Sequence, residues 1–282
     1  MNVVSLRSFA AETRHAPAED SRIARIEVFE DMAAAEPHWR ALEQVDSLAT
    51  PYQRYDFLKL WQRHVGAAAG VTPLIVVGFN ALAMPLFLWP FCRQTVGRWR
   101  TIEFLGGKHV NFNMGLWRRD IATTIGAADI RAAVERLAPH ADALLLTGQS
   151  LTWEGTTNPF ALLPHQRSAN FGFSGSLIAD FDALLRARTN AGARKKMRKK
   201  ERALANYGSV RFALAGSETE LRGILDAFFK QKSVRMRAIG VADAFADAEV
   251  RRFIEAAATE QLCDGGPLIE IYALSVNDIV VA

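Results

Sequence analysis

Cysteine is almost absent from this 282-residue chain: there are two, Cys92 and Cys263, 171 positions apart. No Cys-x-x-Cys, His-Glu-x-x-His or His/Cys cluster occurs. That argues against a disulfide framework and a structural metal site, and it fits a reducing cytoplasm. Long hydrophobic runs are missing too. The most apolar stretch, Leu82 to Cys92, is interrupted by Pro85 and Pro90 and is too short to span a bilayer. The first twenty residues carry scattered charges and no apolar block. No signal peptide is therefore expected, and residues 1–21 read as a loose N-terminal extension.

What is present suits a globular protein. Half of the residues are hydrophobic and 23% are charged, enough apolar material for a core in one large or two modest domains. Ile23 to Phe29 alternates as a strand does. Met32, Ala35, Trp39 and Leu42 recur at helical spacing, with Pro37 expected to restart that helix. Phe57, Leu58, Trp61, His64 and Val65 form a second helical stripe. Pro73 to Phe79 and Leu82 to Phe91 read as a hairpin, Ile102 to Leu105 as a strand, Ile130 to Leu137 as a helix and Ala143 to Leu146 as a buried strand. This order predicts an α/β fold, a mixed sheet with flanking helices.

Thr147 to Ser176 is rich in Gly, Asn, Ser and Pro and reads as a connection between two halves, 22–175 and 176–282. In the second half a basic helix over Asn190 to Ala205 precedes a strand at Val210 to Leu214. Leu221, Ile224, Leu225, Phe228 and Phe229 make an amphipathic stripe, and another helix covers about Asp247 to Gln261. Leu268 to Leu274 reads as a strand, turning at Asn277-Asp278 into a partner that starts at Ile279.

Pro73-Leu74-Ile75-Val76-Val77 is echoed by Pro267-Leu268-Ile269-Glu270-Ile271. Each follows Gly-rich sequence at the end of a helix and precedes an Asn-containing turn, which suggests a duplicated fold. The chain ends on Val280-Val281-Ala282, inside an apolar strand. An unfinished strand leaves an unpaired edge, so the second half is expected to be cut short within its central sheet. A short closing edge strand is the alternative.

The net charge of +4 is unevenly placed. Seven Lys and Arg fall within Arg194 to Arg202. Such density repels itself unless an anion is near, so Lys195, Lys196, Arg198 and Lys199 are candidates for binding phosphates of a cofactor, a nucleotide-sugar or a lipid headgroup. A solvated basic face is the plainer alternative. Nucleic acid is disfavoured because few aromatics are interleaved. Lys232 and Arg235 continue the apolar register of their helix, where a cation either snorkels outward or meets an anion in a cleft. The loop Gly106 to Asn113 offers Lys108 and Asn111 as ligand contacts and His109 as a general base; an ordinary polar turn is the alternative. Glu103 and Asp56 are further candidate bases.

Several segments together resemble the CelD/BcsL group of GNAT-type acyltransferases. They are Trp39-Arg40-Ala41-Leu42-Glu43, Thr50-Pro51-Tyr52-Gln53 with the following Asp56 to Trp61 helix, Pro73 to Val77, Phe104-Leu105-Gly106-Gly107, and the basic run Lys195 to Leu204. The resemblance implies tandem GNAT-like halves in a FemAB-like arrangement, the second incomplete here. It implies acetyl-CoA or another acyl-CoA as co-substrate, a sugar- or amine-bearing acceptor and a role in polysaccharide or envelope synthesis. The family's Arg/Gln-x-x-Gly-x-Gly/Ala turn, which holds the CoA pyrophosphate on backbone amides between a strand and a helix, is not found after any of the strands read above. Two other functions stay open: a non-catalytic module that holds an anionic glycan, lipid or nucleic acid on the basic helix, and FemAB-like transfer from an aminoacyl-tRNA.

Overall fold

The computed structural model describes residues 3–5, 23–261 and 266–282. Two compact units divide the chain, one ending at Phe171 and the other running from Gly172 to Ala282. Both are mixed α/β, built from a sheet with flanking helices.

The first unit is organised by the hairpin of β4 (Thr72–Phe79) and β5 (Pro85–Val96). Both strands are apolar on each face, and most of their side chains are buried. β2 (Arg25–Phe29) pairs with the free edge of β4. The second edge of β5 is shared: its C-terminal part pairs with β6 (Trp99–Phe104) and its start with β7 (Leu116–Arg118). β7 carries the short β3 (Ser47–Leu48). Next to β6 lies β8 (Ala143–Leu145), in the sheet's parallel pairing, and then β1 (Val3–Ser5). The hairpin turn ends later than its hydrophobicity suggests. Asn80 Oδ1 accepts from the amides of Leu82 and Met84. That folds 80–84 into the turn, so β5 starts at Pro85 instead of Leu82.

Helix α1 (Met32–Gln44) is capped by Asp31 and buries Met32, Ala35, Trp39 and Leu42. Pro37 does not restart it. The proline lies within the second turn, where losing its N–H removes a single ladder bond from a helix that packs against the sheet. Helix α2 (Tyr55–Trp61) runs into a wider π turn at Gln62–Gly66. The short α3 (Arg119–Ala122) and α4 (Ala127–Glu135) complete the α-helices among the described residues of this unit.

The expected linker begins too early. Residues 147–163 belong to the first unit: β9 (Thr152–Trp153) and β10 (Thr156–Thr157) form a small hairpin, and Phe160 and Leu163 enter the core. Asn158 is fully buried, donating to Gln149 Oε1 and to the Ser150 carbonyl while its Oδ1 accepts from the Phe160 amide. Residues 164–180 hold no helix or strand.

The second unit starts with α5 (Phe181–Arg188) and α6 (Ala191–Ala205). β11 (Val210–Leu214), β12 (Tyr272–Val276) and β13 (Ile279–Val280) form an antiparallel sheet. α7 (Glu218–Ala238) buries Leu221, Ile224, Leu225 and Phe229, and it packs with α8 (Ala248–Thr259). β12 starts at Tyr272, four residues after the expected Leu268. The Ile269 amide donates to the Ala257 carbonyl, and Ile269 and Ile271 pack on the helical core. Pro267 to Ile271 is therefore outside the sheet, whereas Pro73 to Val77 lies within β4, and the sequence echo does not superpose strand on strand. Cys263 lies outside the described residues.

Candidate functional site

Two regions hold the residues singled out by sequence, and each is built differently. In the first unit, the turn before α2 is tied to the loop after β6. Thr50 and Gln53 form a capping box, with the Thr50 hydroxyl 2.6 Å from Gln53 Oε1. Gln53 Nε2 donates to the Phe112 carbonyl at 3.1 Å, and Asn111 Nδ2 donates to the Tyr52 hydroxyl at 2.9 Å. Trp61 Nε1 donates to His109 Nδ1 at 3.0 Å. The loop reaches these partners because Gly106 adopts φ +96°, and a Cβ there would stand 2.2 Å from Val110 Cγ2.

This arrangement decides what the predicted bases can do. A ring nitrogen that accepts the indole proton carries none of its own, so the neutral His109 ring is protonated at Nε2 and the Nδ1 lone pair is used. Asp56 is bound by Arg40, whose guanidinium donates to Oδ2 at 2.8 Å and also to Oδ1. That bond holds the Asp56 carboxyl below the ordinary range although burial opposes it. Glu103 sits half-buried on β6, opposite Cys92, and accepts from the Thr101 hydroxyl at 3.3 Å. The three candidates thus have three different partners: Trp61, Arg40 and Thr101. Lys108 is exposed in the same loop as His109 and Asn111. Burial and the neighbouring Glu36 push the Tyr55 phenol up, so it remains a neutral hydroxyl.

Sequence reasoning passed over Tyr52 and Gln53 as site residues. The Thr50-x-x-Gln53 spacing is a readable capping-box signal. Nothing in the sequence announces that Tyr52 meets Asn111, because 59 positions separate them.

In the second unit, α6 is capped by Asn190 and buries no side chain. Lys195, Lys196, Arg198 and Lys199 are exposed. Arg194 donates to the Thr189 carbonyl. Lys232 is half-buried with its ammonium 5.5 Å from the centre of the Phe228 ring, a cation–π contact. Arg235 is exposed; the apolar register of α7 has reached solvent by that turn. The β11-to-α7 turn is closed by its own acid: Glu220 Oε2 accepts from the Gly216 amide at 2.8 Å, and Arg211 binds Glu220.

Residues 191–282 match the family model described as an acetyltransferase (GNAT) domain. No curated protein and no solved structure matches the chain. The matched stretch runs from the first residue of α6 through β13 and lies wholly within the second unit. Among the described residues, no group of three or more His, Cys, Asp or Glu is arranged to hold a metal ion, and no helix is long and apolar enough to cross a membrane.

Proposed function

We propose that this chain is an acyl-CoA-dependent N- or O-acyltransferase of the CelD/BcsL type, serving polysaccharide or cell-envelope synthesis in the cytoplasm. Its two GNAT-like halves are taken as 22–175 and 176–282. The observation that carries the reading is the match of residues 191–282 to the acetyltransferase (GNAT) domain. The unit containing that stretch has an antiparallel sheet with helices against it. Acyl-CoA supplies the activated thioester, and the acceptor amine or hydroxyl supplies the nucleophile. GNAT chemistry asks mainly for positioning and for backbone donors at the thioester carbonyl, so a missing triad does not count against it.

A CoA pyrophosphate needs free backbone amides at the start of a helix. The β-to-α turn in the matched stretch lies at Gly216-Ser217, and two amides there are already used: that of Gly216 bonds Glu220 Oε2, and that of Glu220 bonds the Ser217 hydroxyl. A carboxylate in that position repels a phosphate. No catalytic step is therefore assigned to this turn. The basic helix is not a cradle either, since a cradle needs walls and α6 buries no side chain.

Calorimetric titration of the chain with acetyl-CoA, paired with thiol-release assays over sugar and amine acceptors, tests the proposal. Saturable binding is expected, together with a raised melting temperature; a ligand at a hundred times its Kd adds about 2.7 kcal/mol of stability. No heat, no thermal shift and no thiol release would reject acyl-CoA as donor. Transfer from aminoacyl-tRNA alone would replace it with the FemAB-like reaction.

A further inference from the structure

The segment from Gly172 to Ala205 combines dense positive charge with exposed apolar side chains. It holds nine Lys and Arg against three Asp and Glu, so it carries more positive charge than the whole chain does net. It also exposes large apolar side chains: Phe173 is 91% exposed, Leu177 85% and Phe181 66%. Neither α5 nor α6 buries a single side chain. Leu177, Phe181, Leu184 and Leu185 line an open groove of about 450 Å³, with Arg188 also in its wall.

We propose that this segment is a docking surface for a membrane leaflet bearing anionic lipid headgroups. Water solvates the cations well but not the apolar residues, so a purely solvated face accounts for only half of what is seen. A bilayer interface satisfies both at once. Phe173, Leu177, Ile178 and Phe181 enter the headgroup–acyl boundary, while Lys195, Arg198 and Lys199 lie over the phosphates, the two-signal pattern of reversible peripheral binding. Single-stranded nucleic acid would meet the cations equally well. It gains affinity by stacking on aromatic faces, however, and here Leu177, Ile178, Leu184 and Leu185 outnumber the rings. Aliphatic side chains favour a lipid partner.

The surface is separate from the acyl-transfer proposal, and its test contains no acyl-CoA. The complete chain is sedimented with vesicles of phosphatidylcholine alone, and with vesicles of equimolar phosphatidylcholine and phosphatidylglycerol. Binding to the anionic vesicles only is expected, weakening as salt rises through physiological ionic strength. The triple change Lys195→Ala, Arg198→Ala, Lys199→Ala should weaken it about a hundredfold, roughly fivefold per charge. The pair Phe173→Ser and Leu177→Ser should weaken it about tenfold or more while leaving the salt dependence intact. All five side chains are exposed, so unchanged melting temperatures are expected. The charge-keeping pair Lys195→Arg and Lys199→Arg, which should bind as the parent does, guards against a misfolded triple variant. Absence of binding to either vesicle, equal binding to both, or a triple variant that folds and binds normally would overturn the proposal. So would capture by single-stranded RNA that anionic vesicles fail to compete away.

Discussion

Replacing Asp56 by asparagine measures how the first unit uses the charge it has partly buried. The Arg40 side chain is 24% exposed and that of Asp56 14%, so their bond lies largely out of water. Arg40 also reaches Glu43 Oε2 at 3.2 Å and Glu36 Oε1 at 3.3 Å, and its guanidinium carbon stands 4.6 Å from the centre of the Tyr55 ring. An exposed ion pair is worth about 0–1 kcal/mol, whereas a hydrogen bond to a charged partner is worth about 1.5–3 kcal/mol. Asparagine keeps an acceptor oxygen, and Glu36 and Glu43 still neutralise Arg40. The expected loss is therefore at the low end, about 1.5 kcal/mol. Arg40→Met is the harsher change because it leaves three carboxylates facing one another, and about 3 kcal/mol should go.

Acid should erase the Asp56 effect in a defined direction. The bond to Arg40 holds the folded carboxyl below its ordinary value, while an unfolded Asp titrates near about 3.9. The unfolded chain therefore takes up the proton first. The contribution is complete above the unfolded value and disappears as pH falls through the folded one. The gap between parent and Asp56→Asn should thus be full at neutral pH and close in strong acid. Urea unfolding followed by tryptophan fluorescence is the suitable assay, because all six tryptophans precede Phe171 and report the first unit alone. An unchanged urea midpoint in Asp56→Asn at neutral pH would show the pair to be solvent-screened. A gap that persists undiminished into strong acid would refute the linkage.

Asn158→Ala should cost about 2–3 kcal/mol, because it strips partners from buried groups at Gln149, Ser150 and Phe160 at once; a urea midpoint matching the parent's would mean that residues 147–163 are the loose connection their composition suggests. Burial pushes the Cys92 thiol up to about 12. In a Cys263→Ser background, Cys92 should ignore a disulfide reagent at mildly alkaline pH until denaturant is added, and free-thiol rates in the native protein would contradict its placement.

Periodicity in the sequence was sufficient to reveal most elements because they bury one stripe or one face. The stripe of α1 and the apolar run of β4 leave little choice of structure. What stayed hidden depended on single polar side chains. Asn80 decides where β5 begins by accepting two amides, and Asn158 draws a Gly- and Asn-rich stretch into the core by satisfying three groups there. Composition marks both as turn formers and gives no hint of which partners they find. Pro37 misled for the opposite reason. A local rule predicted a break, and packing of the helix against the sheet outweighed one missing hydrogen bond.

The candidate site was less legible because titratable residue types serve structure as readily as chemistry. Asp56, Glu103 and His109 are by residue type possible bases; Arg40, Thr101 and Trp61 respectively hold them. The basic helix is the reverse case. Its charge is plain in the sequence, and the structure adds that α6 buries none of its side chains. A run of cations sunk against an acidic wall would be a structural network. The same run on a helix that buries nothing, preceded by exposed Phe173, Leu177 and Phe181, needs an outside partner that is at once anionic and apolar. That pairing of demands, more than the charge alone, separates a lipid surface from a free phosphate, which would answer the cations and leave the phenylalanines in water.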